Sequence, residues 1–89
     1  MNQREIDIIK AVLVCLNRVA PGTLVEAIIH ADAAAQLRNR NQNTPSLMEF
    51  NRALVVCDQR GWIKGIESQV AGRMKWKITD EGQLAESEL

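Results

Sequence analysis

Residues 73–79 read Arg73-Met74-Lys75-Trp76-Lys77-Ile78-Thr79. Apolar and cationic side chains alternate along this stretch, which is the period-2 pattern of a half-buried β-strand with one solvated, positive face. The earlier run over 62–67, Trp-Ile-Lys-Gly-Ile-Glu, is its natural antiparallel partner, and residues 68–72 join the two. The sequence therefore predicts a β-hairpin whose apolar side packs on helices, because two strands alone are only marginally stable.

The first of the predicted helices spans residues 2–20. Its apolar residues recur three and four positions apart, which is the spacing of one helix face, and Pro21-Gly22 ends the pattern. A second apolar row lies beside the first, so the apolar arc is wider than a surface helix needs. Either this helix is central in its own domain or its extra flank meets a partner subunit.

A second helix is predicted to begin at Thr23, because Thr23 and Glu26 have the spacing of a capping box. The pattern stops near Leu37, and residues 38–43, which include three asparagines and no apolar residue, are typical of a solvated loop. The predicted buried face of this helix consists of Leu24, Ile28, Ala31 and Ala35.

The third helix is predicted to span Pro45 to Arg60, with Thr44-Pro45 as its start and Ser46 with Glu49 as an alternative cap. Gly61 stands where a left-handed residue commonly ends a helix. The predicted core positions of this helix are Leu47, Phe50, Ala53, Leu54 and Cys57.

After the hairpin, Thr79 or Asp80 can cap a last short helix, which Gly82 weakens.

Composition bounds the class of protein. The chain has 89 residues, 46% of them hydrophobic, with 11 Lys+Arg against 11 Asp+Glu, so we expect one folded domain over 1–89 without the basic excess typical of nucleic-acid binding. The longest apolar run covers residues 11–16, far short of the ~20 residues that cross a bilayer, and no secretory signal is evident. We expect a cytoplasmic protein without a membrane partner, in which Cys15 and Cys57 are small buried hydrophobes.

The predicted order of elements is three helices, a hairpin and a helix. The segments Asp-Gln-Arg-Gly-Trp-Ile over 58–63, Gly72-Arg73 and Trp-Lys-Ile-Thr-Asp-Glu-Gly over 76–82 resemble the winged helix-turn-helix domains of MarR- and PadR-type bacterial regulators. The resemblance implies a mainly α fold with a three-helix core, a two-stranded wing and a short C-terminal helix. It also implies a small transcriptional regulator that binds double-stranded DNA.

In that family the third helix enters the major groove and the wing touches the DNA backbone. The side of helix three opposite Phe50 can offer Asn51, Arg52 and Gln59 to base edges. We expect a homodimer that forms through the wide flank of helix one and the terminal helix. The cations expected to hold phosphates are Arg38 and Arg40 in the loop and Arg73, Lys75 and Lys77 in the wing, with Lys64 on the same strand pair.

A protein-interaction module is the alternative function. Met48 and Val55 on the same side of helix three suit a partner protein as well as DNA, and the loop over 38–43 is longer than the turn of a helix-turn-helix. Enzymatic function has no feature behind it: the lone His30 has the spacing of a surface pair with Glu26, and no glycine-rich phosphate loop or Cys/His metal set is present in the sequence. We therefore expect no cofactor.

Overall fold

A computed structural model describes residues 1–67 and 74–89 of the chain. The predicted order of three helices, a hairpin and a helix is confirmed, and one further short strand precedes the second helix. Within the described residues the elements are α1 (Gln3–Arg18), β1 (Leu24–Val25), α2 (Glu26–Asn39), α3 (Leu47–Gln59), β2 (Ile63–Glu67), β3 (Met74–Ile78) and α4 (Asp80–Glu88).

The strands form an antiparallel sheet in the order β1-β3-β2. The predicted hairpin is confirmed in its paired part, where Ile63 lies opposite Ile78 and Lys64 opposite Lys77. Its connection, including Arg73, lies outside the described residues. The wing was predicted to have two strands, and the sheet has a third because Leu24 pairs with Trp76 along the other side of β3. A strand of two residues is too short to give a periodic signal.

The predicted capping box at Thr23 is wrong. Helix α2 begins at Glu26, and its N-cap residue Val25 makes no side-chain capping bond. Leu24 and Val25 instead pair with β3, which gives them backbone hydrogen bonds and lets Leu24 pack against the core. Strand pairing with burial outweighs a cap worth about 1 kcal/mol.

The predicted buried face of α2 is wrong at Ile28 and Ala31, whereas Ala35 is half-buried. Ile28 is 53% exposed and Ala31 is exposed, because the prediction counted the helical repeat from Leu24, which belongs to a strand. The true face is shifted by one or two positions further along the chain, where buried residues recur at helical spacing. It consists of Ile29, Ala33, Ala34 and Leu37.

Helix α1 is the central helix of the core. It packs against α2, α3, α4 and β3, so elements of its own chain cover the wide apolar arc. The flank that was predicted to meet a partner subunit is therefore not free, and that route to a homodimer is corrected. The buried residues of α1 are Ile8, Ile9, Ala11, Val12, Leu13, Cys15 and Leu16.

Helix α3 begins at Leu47 rather than at Pro45. Of its two candidate caps, the structure has the capping box, in which the Ser46 hydroxyl accepts from the Glu49 backbone N–H and the Glu49 carboxylate accepts from the Ser46 N–H. Phe50, Ala53, Leu54 and Cys57 are buried as predicted. Leu47 was predicted to be in the core and is 68% exposed, because a side chain in the first helical turn points back beyond the helix start.

The ends of the hairpin follow the predictions. Gly61 has φ 72°, the left-handed conformation expected after α3. Thr79 caps α4, with its hydroxyl accepting from the Gly82 backbone N–H at 3.0 Å.

Candidate nucleic-acid interface

The exposed side of α3 carries the residues predicted to contact base edges. Asn51, Arg52 and Gln59 are all exposed, and Met48 and Val55, at 82% and 52% exposure, lie among them. Arg52 is the one cation in the sequence of α3, against Glu49 and Asp58. This face therefore combines polar groups that can pair with bases and apolar groups that cannot.

Arg4 of α1 fixes the start of α3, a role that sequence analysis missed. Its guanidinium donates to the Glu49 carboxylate at 3.0 Å, to the Asn43 carbonyl at 3.0 Å and to the Gln42 side chain at 3.3 Å. This guanidinium and the Ser46 backbone N–H hold the pKa of Glu49 below its usual value. No local pattern could reveal the contact, because the partners are distant in the sequence.

The loop between α2 and α3 is anchored to the core helix. The Gln42 backbone N–H donates to the Leu37 carbonyl at 2.8 Å, and the Gln42 side-chain amide donates to Asp7 at 3.1 Å. Pro45 is buried. The loop is thus longer than a tight helix-turn-helix turn, as predicted from sequence, but it is held in place by hydrogen bonds to α1 and α2.

Arg38 and Arg40 were predicted to lie in a loop, but α2 continues to Asn39, so Arg38 belongs to the last helical turn and Arg40 is the C-cap residue. Both are exposed. Arg40 lies near enough to Asp7 to act on its charge. The pKa of Asp7 is lowered, first by the hydrogen bond from Gln3 and further by Gln42, Arg40 and Arg4. Asp7 therefore lies within electrostatic range of Arg40, although the two form no salt bridge.

The wing lysines lie together on one face of the sheet. Side chains directly opposite each other in an antiparallel pair point to the same side, and Lys64 lies opposite Lys77 while Ile66 lies opposite Lys75. None of these lysines forms a salt bridge to any described residue. We call the set Lys64, Lys75 and Lys77 the lysine face.

The lysine face and the exposed side of α3 are separated by the thickness of the sheet. Trp76 alternates with Lys75 and Lys77 along β3 and points to the opposite side, where it lies against α3. The residues predicted to contact bases therefore lie on the Trp76 side of the hairpin, and the lysines predicted to contact phosphates lie on its other side. Arg73 was predicted to belong with the lysines and lies outside the described residues.

A groove of about 200 Å³ lies between α3 and β3, on the Trp76 side of the sheet. The indole N–H of Trp76 donates to the Glu26 carboxylate at 3.0 Å, which connects the start of α2 to the central strand. We call this depression the α3–β3 groove. Its lining residues are Glu26, Asn51, Leu54, Val55, Asp58 and Trp76.

The predicted surface pair between His30 and Glu26 is wrong. Nε2 of His30 lies 2.8 Å from the Pro45 carbonyl oxygen, and its ring centroid lies 4.8 Å from that of Phe50. His30 thereby packs under the α2–α3 loop, and Glu26 is left to accept the Trp76 hydrogen bond. Spacing along one helix could not anticipate either partner, because both come from other elements.

The two cysteines are buried, as predicted. Burial raises the pKa of each thiol to about 12, and the Asp32 carboxylate contributes to the shift at Cys15. Among the described residues, no group of three or more His, Cys, Asp or Glu side chains is arranged to hold a metal ion. No helix in the described part of the chain is both long and apolar enough to span a membrane.

Comparisons with known proteins give a fold but no family. No protein-family model matches the chain, and no curated protein sequence matches it. A transcriptional regulator from Clostridium thermocellum, Cth-833, has a similar structure with a TM-score of 0.76 at 16% identity, over 99% of this chain and 82% of that one. SSV1 F-93 has a TM-score of 0.64 at 15% identity, over 90% and 79%. The chain has a winged-helix-like fold, as the sequence predicted.

Proposed function

We propose that this winged-helix chain is a small DNA-binding transcriptional regulator of the MarR or PadR type that works in the cytoplasm. The observation that carries the proposal is that one fold has two features: exposed base-compatible side chains on α3, and a cluster of lysines on the sheet that form no salt bridge with the described residues. The structural likeness to a protein described as a transcriptional regulator supports it.

Helix α3 enters the major groove in this proposal. The Arg52 guanidinium presents two parallel donors to guanine, and the amides of Asn51 and Gln59 can each pair with adenine. All three side chains are exposed, so they can reach base edges without rearrangement of the core. The hydrogen bonds from Arg4 support this role by fixing where α3 begins.

In this proposal phosphates are held by cations of the wing and by cations near the α2–α3 loop. Lys75 and Lys77 of the wing contact the flanking backbone, Arg73 belongs to the same group, and Arg38 and Arg40 hold phosphates near the α2–α3 loop. Lysines directly opposite each other on neighbouring strands repel, and a phosphate beside them relieves that repulsion.

The protein binds DNA as a homodimer in this proposal. Since its own elements cover α1, the contact has to use other surfaces, and α4 offers Leu84 at 62% exposure. Two copies related by a twofold axis present their α3 helices to half-sites one helical turn apart, about 34–36 Å.

Fluorescence anisotropy with a mixed-sequence DNA duplex tests the proposal. We expect binding that weakens steeply with salt, and the double change Lys75→Ala with Lys77→Ala lowers the slope of log K against log salt by about 2, roughly 0.9 for each phosphate contact. The double change Lys10→Ala with Arg18→Ala removes the same charge from α1 and should leave the slope unaltered. Absence of binding at micromolar concentrations of folded protein and low salt contradicts the proposal.

A protein-interaction module is the second candidate function. The exposed Leu47, Met48 and Val55 favour it, because base edges offer few apolar partners to such a row. Chemical cross-linking to a partner that is lost with Met48→Asp but retained when the lysine face is neutralised would select this function. The DNA-binding function is selected if the lysine variants lose DNA binding and Met48→Asp has no effect on cross-linking.

A further inference from the structure

The α3–β3 groove has a chemical character that DNA contact does not explain. Leu54, Val55 and Trp76 give it apolar walls, and Glu26 and Asp58 place two carboxylates at those walls. No Lys, Arg or His is among its described lining residues. A surface that only approached phosphates would not carry two carboxylates at this position, because like charges repel.

Neither carboxylate has a cationic partner among the described residues. The salt bridges found there join Arg4 to Glu49 and Arg18 to Asp32, and neither involves Glu26 or Asp58. His30, four residues after Glu26 along α2, contacts the Pro45 carbonyl instead. The groove thus has negative charge beside an indole ring and apolar side chains.

We propose that the α3–β3 groove binds a small organic cation of the alkylguanidinium class. A guanidinium pairs with a carboxylate through two donors, which suits Asp58, an exposed residue of the groove. Trp76 is 9% exposed, so its indole offers the ligand a small accessible area beside that carboxylate. The alkyl part packs mainly on Val55, which is 52% exposed, because Leu54 is only 4% exposed. A divalent metal ion is a poorer match, since calcium and magnesium require six or more oxygen ligands.

The size of the groove favours a small molecule over a peptide. Its volume of about 200 Å³ is below the ~300–1,000 Å³ of sites for drug-sized ligands. The exposed Leu47 and Met48 do not line it, so the groove does not continue into an extended apolar channel. Asn51 does line it, so a bound ligand would contact a residue that is proposed to read bases. An effect of the ligand on DNA binding rests on the proposed function, whereas the ligand site itself does not.

Nuclear magnetic resonance titration of the intact protein tests the site without DNA. The chain has two tryptophans, so two indole N–H signals are expected, and Trp62→Phe assigns them. N-butylguanidinium should shift the Trp76 signal saturably and leave the Trp62 signal in place. Butylurea, which has a similar shape and no charge, should shift neither signal.

Charge variants separate groove binding from general attraction. Asp58→Asn should weaken binding of N-butylguanidinium roughly fivefold, the upper range for loss of one exposed ion pair. Glu88→Gln removes an equal charge from α4, away from the groove, and should have no effect. Val55→Lys, which adds a competing cation at the groove, should abolish binding. The proposal is overturned if Trp76 shows no saturable shift, if butylurea acts equally, or if Glu88→Gln weakens binding as much as Asp58→Asn.

Discussion

Gly82 is a residue at which helix propensity and packing act in opposite directions. Glycine inside a helix costs about 1 kcal/mol relative to alanine, which is why the sequence predicts a weak final helix. A Cβ at this position would collide with the Trp62 carbonyl oxygen and lie 2.7 Å from Ile78 Cγ1. The glycine therefore lets α4 lie close to the strands. The helix propensity lost at this position is the cost of that close packing.

Arg4 differs from Gly82, because no local sequence pattern indicates its role. It nevertheless organises the candidate site. Its position near the start of α1 suggests only a solvated charge. In the structure it joins α1 to Glu49 and to the Asn43 carbonyl, so one side chain fixes both the loop and the beginning of α3. Contacts of this kind depend on how three elements meet and cannot be deduced from a single helix.

Burial of Cys15 and Cys57 predicts a loss of stability at alkaline pH. The pKa of each thiol is raised from 9.0 to about 12, so between these values the unfolded chain releases protons that the folded protein keeps. The free energy of unfolding should therefore fall as pH rises above about 9. Urea unfolding across this range measures the effect.

The double variant Cys15→Ala with Cys57→Ala isolates the contribution of the two thiols to this pH dependence. Its unfolding free energy should depend less on pH than that of the original protein. Equal alkaline slopes for the two proteins would show that the thiols are not protected by the fold. In a parallel check, a thiol reagent should modify the cysteines only after unfolding.

At the scale of elements, the hairpin and α2 differ in how well sequence predicts them. The hairpin is correct over its described strands because alternation of Met74, Trp76 and Ile78 with lysines has no competing helical interpretation. The start of α2 is not, because Thr23 to Glu26 satisfies a local capping rule while Leu24 and Val25 have a tertiary partner in β3. Local rules fail where a distant strand offers more burial.

Helix α3 allows the two candidate caps to be distinguished by mutation. Ser46→Ala removes the hydroxyl that accepts from the Glu49 backbone N–H and should lower the free energy of unfolding by about 1 kcal/mol. Thr44→Ala, two residues earlier, should change it by less than about 0.5 kcal/mol, the usual limit for an exposed surface position. Chemical denaturation of both variants provides the comparison, and a larger effect at Thr44 would contradict the observed helix start.

At the scale of the whole molecule, the covered flank of α1 changes the expected assembly. The wide apolar arc is compatible with a partner subunit when the sequence is considered alone, but α2, α3, α4 and β3 surround it. Any dimer has to use the remaining exposed apolar residues, of which Leu84 on α4 is one. The zero net charge likewise conceals an uneven distribution, with three of the four lysines on one face of the sheet.

Truncation of one leucine in α1 and one in α4 tests this arrangement. Leu13 is fully buried, so Leu13→Ala should lower the free energy of unfolding by about 2–5 kcal/mol. Leu84→Ala should have an effect below about 0.5 kcal/mol in the monomer. If α4 forms the dimer contact, Leu84→Ala should also lower the dimer mass fraction in analytical ultracentrifugation. A large loss of monomer stability from Leu84→Ala would contradict the exposed position of its side chain.

The sequence by itself determined the order of helices and hairpin, the glycine after α3, the buried cysteines and the exposure of Asn51, Arg52 and Gln59. These depend on periodicity and local backbone preference, which a short window of residues contains. Only the tertiary structure decided where α2 begins, what covers α1, how Arg4 fixes α3 and which side chains line the α3–β3 groove. Each of these depends on pairing between residues far apart in the chain, whose burial and hydrogen bonds outweigh local preference.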